Sequence, residues 1–457
     1  MNGLAGKERT GRLGRTCPGR LRPAALIAAA GMLAFAGGCG KGAEEGRTLD
    51  AAGTGAGATA EMAGHLSDGS DAKAPSKPAD APVADGLGVT DTEKSNADIR
   101  IDKREEREGI SYEAAPTDLN FWYEEDSYTS FLELAAARYY EETGVKVMPR
   151  QISGSLDYLG EIYDATMENE EFPDLYLLPG ECLEEAYLYG LAAENTRSTE
   201  ADGIVPCALL ASQYGGRRLG YPLNYNACVF VFQSDYFGNA PQSLQEIIDY
   251  SKENDPAENV EYLLEWDVND PFYDFPFFSN CVSFEKTEAE RMTIVYDEAL
   301  YQQDLEYFEG ILESFSVDAE RVSEDSIVEN FLTGRTLSAI IDTDSLKRLD
   351  GYGYALMKMP NLNETLTANS SSVTTLVIVN DFTEQEDAAA DFAYFVTVTM
   401  ADELHAASGH YSVIPSADPD WVEGVALEAY TSAVPAPDSK DAKRFWVDLK
   451  ETILKYF

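Results

Sequence analysis

From Thr117 to the C-terminus, segments with strand-like apolar runs alternate with segments of helical period. Asp118-Leu119-Asn120-Phe121-Trp122-Tyr123 reads as a first strand, and the residues after it place Phe131, Leu134, Ala135 and Tyr139 on one helical face before Gly144 stops the helix. Val145-Lys146-Val147-Met148 reads as a second strand. A helix with Leu156, Leu159, Tyr163 and Met167 in register follows, and Phe172 to Leu178 gives a third strand. Ser243-Leu244-Gln245-Glu246 and Thr383-Glu384-Gln385-Glu386 have capping-box spacing and predict helices near 244–252 and 384–407. Leu305, Phe308, Leu312 and Phe315 mark another helix face, while Leu337 to Ile341 and Val373 to Val379 read as buried strands. Phe445, Trp446, Leu449, Ile453 and Leu454 predict a closing amphipathic helix. Strands alternating with helices point to α/β construction.

The pattern is missing from Gly40 to about Pro116, where Ala, Gly, Asp, Glu, Ser and Pro dominate. Such a segment buries too little apolar surface to offset its ordering entropy and reads as a tether. Before it stand a basic segment, the apolar run Ala24 to Phe35, and Ala36-Gly37-Gly38-Cys39. The run is short for a membrane-spanning helix. The arrangement resembles a bacterial lipoprotein signal, with Ala36 where leucine is usual. That resemblance implies cleavage after residue 38, acylation of Cys39 with palmitate, and a protein held on the extracytoplasmic face of the cell membrane. The alternative is a secreted chain cut near Ala36. The expected organisation is a signal peptide over 1–38, a lipid-anchored tether over 39–116 and a solute-binding domain over 117–457.

Net charge narrows the partners. The chain carries −47, and removal of residues 1–38, with six basic residues and one acid, leaves −52. This field repels nucleic acid and anionic headgroups, and the mixed run Lys103 to Glu108 is no basic patch. A body of about 340 residues exceeds what one core serves, so two lobes are expected. Cys182, Cys207, Cys228 and Cys281 could form up to two disulfides or remain buried thiols, and they fit no zinc spacing.

The order of segments resembles the bacterial extracellular solute-binding proteins of family 1, the maltose-binding-like receptors of ABC importers. The resemblance rests on Tyr139-Tyr140-Glu141-Glu142-Thr143-Gly144-Val145-Lys146-Val147, Phe172-Pro173-Asp174-Leu175, Tyr187-Leu188-Tyr189-Gly190-Leu191-Ala192 and Gly220-Tyr221-Pro222-Leu223. It continues through Val229-Phe230-Val231-Phe232, Tyr236-Phe237, Pro241 to Glu246, Phe331 to Ile340 and Ala388 to Phe395. It implies a periplasmic-binding-protein-like type II fold, two α/β lobes joined by a hinge with the ligand cleft between them. The first lobe would hold about 117–222 and 365–420, the second about 223–364 and 421–457. It implies a monomer without cofactor or metal that binds a small solute, carbohydrate first, and delivers it to an ABC transporter permease. Two segments depart from many sugar-binding relatives: Asp342-Thr343-Asp344-Ser345 replaces a Gly-x-Trp, and Asn369-Ser370-Ser371-Ser372 replaces paired glycines and a tryptophan.

The candidate ligand contacts are Trp122, Tyr123 and Glu124 after the first strand, Glu181 after the third, Asn226 after the hinge segment, Trp266, and the pair Asp342 and Asp344. An aromatic face with a carboxylate suits a sugar ring and its hydroxyls. Against this stand bland roles: Trp122 in a core, Glu124 solvated, the Asp pair as a helix cap. No Gly-x-Ser-x-Gly, His-Glu-x-x-His or P-loop pattern occurs, and His405 and His410 are the only histidines of the body. A binder, not an enzyme, is therefore expected, with no catalytic role for His410. Two alternatives stand: a polyamine or other organic cation as ligand, since acids beside aromatics suit cations, and a surface glycoside hydrolase using a carboxylate pair.

Overall fold

A computed structural model describes residues 118–457 apart from 169–170, 200–201, 238, 255–256, 287–291, 316 and 436–439. The signal segment, Cys39 and the tether lie outside the described residues. β1 (Leu119–Tyr123), β2 (Val147–Gln151) and β3 (Leu175–Pro179) run parallel with β1 in the middle. Parallel neighbours need crossover connections. Here these are α1 (Thr129–Thr143), which ends at Gly144 with φ 75°, and α2 (Tyr158–Glu168). A residue other than glycine would be strained in that left-handed cap.

β4 (Tyr221–Phe232), β5 (Tyr262–Glu265), β6 (Thr336–Asp342), β7 (Ala355–Met357), β8 (Ser371–Val379), β9 (Tyr411–Ser412) and β10 (Val434–Pro435) complete the main sheet. Its order is β2-β1-β3-β8-β4-β6-β5, with β7 and β9 on β4 and β10 on β8. β8 is antiparallel to both neighbours. Thr375 to Val379 pair with β3, and Ser372 to Val377 pair with β4. Beyond that, Cys228 to Phe232 of β4 pair with β6. β4 and β8 thus cross from one lobe to the other, and the register between them shifts at Thr375/Leu376, passing over Leu223. A bulge bends a strand and raises its twist. The carbonyl of Leu223 accepts a hydrogen bond from Val413 N at 3.2 Å.

The helices after β4 are α3 (Leu244–Glu253), α4 (Glu298–Phe315), α5 (Glu324–Leu332), α6 (Glu386–Tyr394), α7 (Ala401–Ser408), α8 (Trp421–Ser432) and α9 (Lys440–Ile453). Successive strand residues face opposite sides of a sheet. In the first lobe Phe121 packs with Phe131, Tyr139 and Phe392 on one side, and Trp122 with Tyr158, Ile162, Tyr176 and Ile378 on the other. The second lobe has an aromatic core of Phe230, Trp266, Phe277, Phe278 and Phe308, closed by Phe445, Trp446, Leu449 and Ile453 of α9. Val229, Val231, Phe331, Ile341 and Tyr430 fill its other face.

Three local expectations change. α2 buries Tyr158, Leu159, Ile162 and Thr166, whereas Leu156 precedes the helix and is 83% exposed, and Tyr163 and Met167 face outward. The expected helix 384–407 is α6, a π-turn over Phe395–Thr399, and α7. Thr383 does not cap it in a box: its hydroxyl donates to Asp174 Oδ1, and the helix begins at Glu386. At α3, Glu246 accepts from Gln242 N at 3.0 Å and Ser243 makes no side-chain cap bond. Cys182, Cys207, Cys228 and Cys281 are thiols, which removes the disulfide option.

Candidate functional site

Strand registers fix which edge of the first lobe faces the second. β8 enters the first lobe at Thr375, opposite Pro179, the last residue of β3, and its residues nearer the second lobe lie beyond that end. The carboxyl ends of β1, β2 and β3 therefore point toward the second lobe. Open α/β sheets bind ligands at such ends. Gly180, next after β3, sits where an added Cβ would lie 3.2 Å from Thr374 O, so any larger residue would crowd the neighbouring strand. Glu181 follows it, buried in a short turn.

Glu124 is the first residue past β1. Its Oε2 is buried and has no hydrogen-bond partner, and the carboxyl is pushed up to about 8 by burial and by the charges of Glu125 and Glu161. Tyr158, at the start of α2, is also buried with an unpartnered hydroxyl. Burial and the Glu124 charge hold its phenol well above the usual range, so the two groups feel each other. Trp122 forms the floor: it is packed in the first-lobe core, with the Arg150 guanidinium 5.2 Å from its ring centroid. Tyr123 points to the opposite core, its hydroxyl 2.9 Å from Thr129 Oγ1.

A second cluster lies at the strand crossover. His410 is 3% exposed; its Nδ1 is 2.8 Å from Asp344 Oδ1 and its Nε2 is 2.9 Å from Ser127 Oγ. The Tyr128 ring stacks on the imidazole at 4.3 Å, and its hydroxyl donates to Asn224 Oδ1 at 3.0 Å and toward Thr375 Oγ1 at 3.4 Å. Asn224 and Thr375 are the pair beside the bulge. Ser127 and Tyr128 belong to the first lobe and Asp344 follows β6 of the second, so His410 links the lobes across the crossover. Burial by itself would push the imidazole down, but the facing Asp344 carboxylate leaves it above its ordinary value. Burial likewise pushes the Asp344 carboxyl up.

The other expected contacts are placed as follows. Asn226 Nδ2 donates to Asp342 Oδ2 at 3.0 Å, and Asp342 Oδ1 accepts from Ser345 N at 2.9 Å, which makes Asp342 a helix cap tied to the crossover strand. Asn226 Oδ1 also accepts from Thr343 N at 3.2 Å. Trp266 is fully buried in the second-lobe core, donating from its indole to Asp274 Oδ1 at 2.9 Å, and is not brought near the others. The structure thus gathers Trp122, Glu124 and Tyr158 at one place, and Asn226, Asp342 and Asp344 near the crossover. Tyr158 lay outside the helix face expected from the sequence, and His410 was legible only as a rare histidine. No cluster of three metal-ligating side chains occurs among the described residues, and no described helix is long and apolar enough to cross a membrane.

No family model and no curated protein matches this sequence. Solved structures do. A cyclo/maltodextrin-binding protein complexed with maltotetraose superposes with a TM-score of 0.64 at 16% identity, over 76% of this chain and 93% of that one. The extracellular solute-binding protein from Staphylococcus aureus in complex with maltose gives 0.58 at 18% identity, over 75% and 98%. The fold is therefore the periplasmic-binding-protein-like type II fold, two α/β lobes joined by crossing strands.

Proposed function

We propose that this chain is a receptor for a small carbohydrate, held on the extracytoplasmic face of the membrane through acylated Cys39 and passing its ligand to an ABC importer permease. The observation that carries the reading is the half-buried Glu124, whose Oε2 is buried and unpartnered at the edge where one lobe faces the other. A buried polar group without a partner is costly, and a bound hydroxyl would relieve it. Both neighbours described above are binding proteins with maltose or maltotetraose in their complexes, which supports sugar as the class and a non-enzyme as the type. The acidity around Glu124 favours an organic cation as the second reading.

Melting curves with maltose, maltotetraose, putrescine and short peptides test the ligand class. Sugar should raise the melting temperature and compact the protein together, because a ligand stabilises the closed form only through its differential affinity for it. Stabilisation by peptides alone would refute the reading. Release of reducing ends from the same glycans would make the protein a hydrolase. Cys39→Ala should free the protein from the membrane fraction or leave it unprocessed; normal anchoring and processing would remove the lipid from the proposal.

A further inference from the structure

We infer that the corner built by Glu124, Tyr158 and Glu161 takes a protonated amine of the ligand. This rests on the carbohydrate-receptor reading to the extent that the amine is carried by a sugar. Glu124 Oε2 and the Tyr158 hydroxyl are both buried polar groups without a partner, at the carboxyl end of β1 and the start of α2. Protein interiors rarely leave two such groups together unless something outside the chain completes them. Once Glu124 ionises, its oxygen and the lone pairs of the Tyr158 oxygen both accept hydrogen bonds, and a donor group on a ligand would complete them.

Charge decides between a hydroxyl and an ammonium. Glu125 and Glu161 both act on Glu124 with like charge. Arg150, on the neighbouring strand, does not neutralise the corner: it lies over the Trp122 ring and reaches Glu171 at 4.0 Å. Glu161 is itself engaged by Ser155, whose hydroxyl donates to its Oε1 at 2.7 Å, which fixes its carboxyl group in place. A sugar hydroxyl brings one donor and no charge. An ammonium brings three donors and a full positive charge, enough to reach both Glu124 Oε2 and the Tyr158 oxygen while offsetting the neighbouring carboxylates. With its carboxyl pushed up to about 8, Glu124 is largely protonated in the empty site at neutral pH and gives that proton to solvent when a cation arrives.

Titration calorimetry on the full mature chain tests this with chitosan oligosaccharides, their N-acetylated counterparts, maltotetraose and putrescine. The first two share linkage and size and differ in the amine. The expected result is binding of the amine form about tenfold or more tighter than the N-acetylated form. Its heat should vary with buffer ionisation enthalpy, reporting proton release. Glu124→Gln should abolish both the preference and the buffer dependence, and Tyr158→Phe should weaken binding less, each variant still unfolding in one cooperative transition. If maltotetraose or the acetylated sugars bind as well as the amine form, or if Glu124→Gln keeps the preference, the amine corner is refuted while the receptor reading stands. If putrescine binds through Glu124 and no sugar does, the corner stands and the carbohydrate reading falls. Absence of binding by all four at millimolar concentration overturns both.

Discussion

Glu124 and Ser127 stand in the same short segment after β1, yet the chain treats their surroundings in opposite ways. Around Ser127 the polar groups are answered from within: His410 reaches both Ser127 and Asp344, and Tyr128 reaches Asn224. Around Glu124 two buried polar groups, its own Oε2 and the Tyr158 hydroxyl, are left open. A closed network holds its members in one arrangement, whereas an open one keeps a debt of desolvation that only a ligand settles. The fold thus separates the network that joins the lobes from the open corner proposed to take the ligand, within a few residues of chain.

The comparison depends first on the floor beneath Glu124. Trp122→Ala should cost about 3–5 kcal/mol in a urea melt, because the indole is buried against Tyr158, Ile162 and Tyr176 and its loss leaves a cavity. A loss below about 1 kcal/mol, with weakened ligand binding, would make Trp122 a cleft surface and merge floor and corner.

His410→Ala should cost roughly 2–4 kcal/mol, since it empties a buried site and leaves the half-buried Asp344 carboxylate without its imidazole partner. The sign with pH follows from the raised imidazole. Its stabilisation is complete below its unfolded value of 6.5 and is lost as pH rises through the higher folded value. The wild type should therefore lose stability above pH 6.5, and the alanine variant should lose less over that range. A parallel fall in both would take the histidine out of the pH response.

Glu124→Gln should act in the other direction and more weakly. A carboxyl raised from 4.5 to about 8 in the fold carries no penalty below 4.5 and the full penalty above 8. The variant should melt about 1–3 °C higher at pH 8 and at the same temperature near pH 4, a modest gain because the side chain is only partly buried. Destabilisation at pH 8 would show that the carboxylate has a partner and that the corner is closed after all.

The strands were legible because buried β-segments such as Leu337 to Ile341 are continuous apolar runs, and the two lobes followed from length and from the resemblance. Helix faces were less so: Leu156, Leu159, Tyr163 and Met167 share a period with Tyr158, Leu159, Ile162 and Thr166, and apolar spacing alone does not choose between them. The π-turn at Phe395–Thr399 leaves no apolar signature. Trp266 sits among Asp267, Asn269 and Asp270, a polar setting that conceals its burial beside Phe277 and Phe308. His410 and Ser127 are 283 positions apart, and no local pattern announces a bond of that span. Glu124 was legible by position alone, through the end of β1; its missing partner is a fact of packing.

The smallest effect tests whether the crossover network is one unit. Ser127→Ala removes a single hydrogen bond to His410 Nε2 and leaves the Asp344 contact in place, so the expected loss is about 0.5–1.5 kcal/mol, toward the low end because Ser127 is half-buried and water can replace the hydroxyl. The pH dependence above 6.5 should persist in this variant, since it arises from the carboxylate on the other nitrogen. Asp344→Asn should remove that dependence. Because both partners act on one imidazole, the double variant should not lose the sum of the two single losses, and a coupling of roughly 0.5 kcal/mol or more is expected from a double-mutant cycle. Strict additivity would mean that Ser127 and Asp344 hold the histidine independently, and that the first lobe gains nothing from the second through His410.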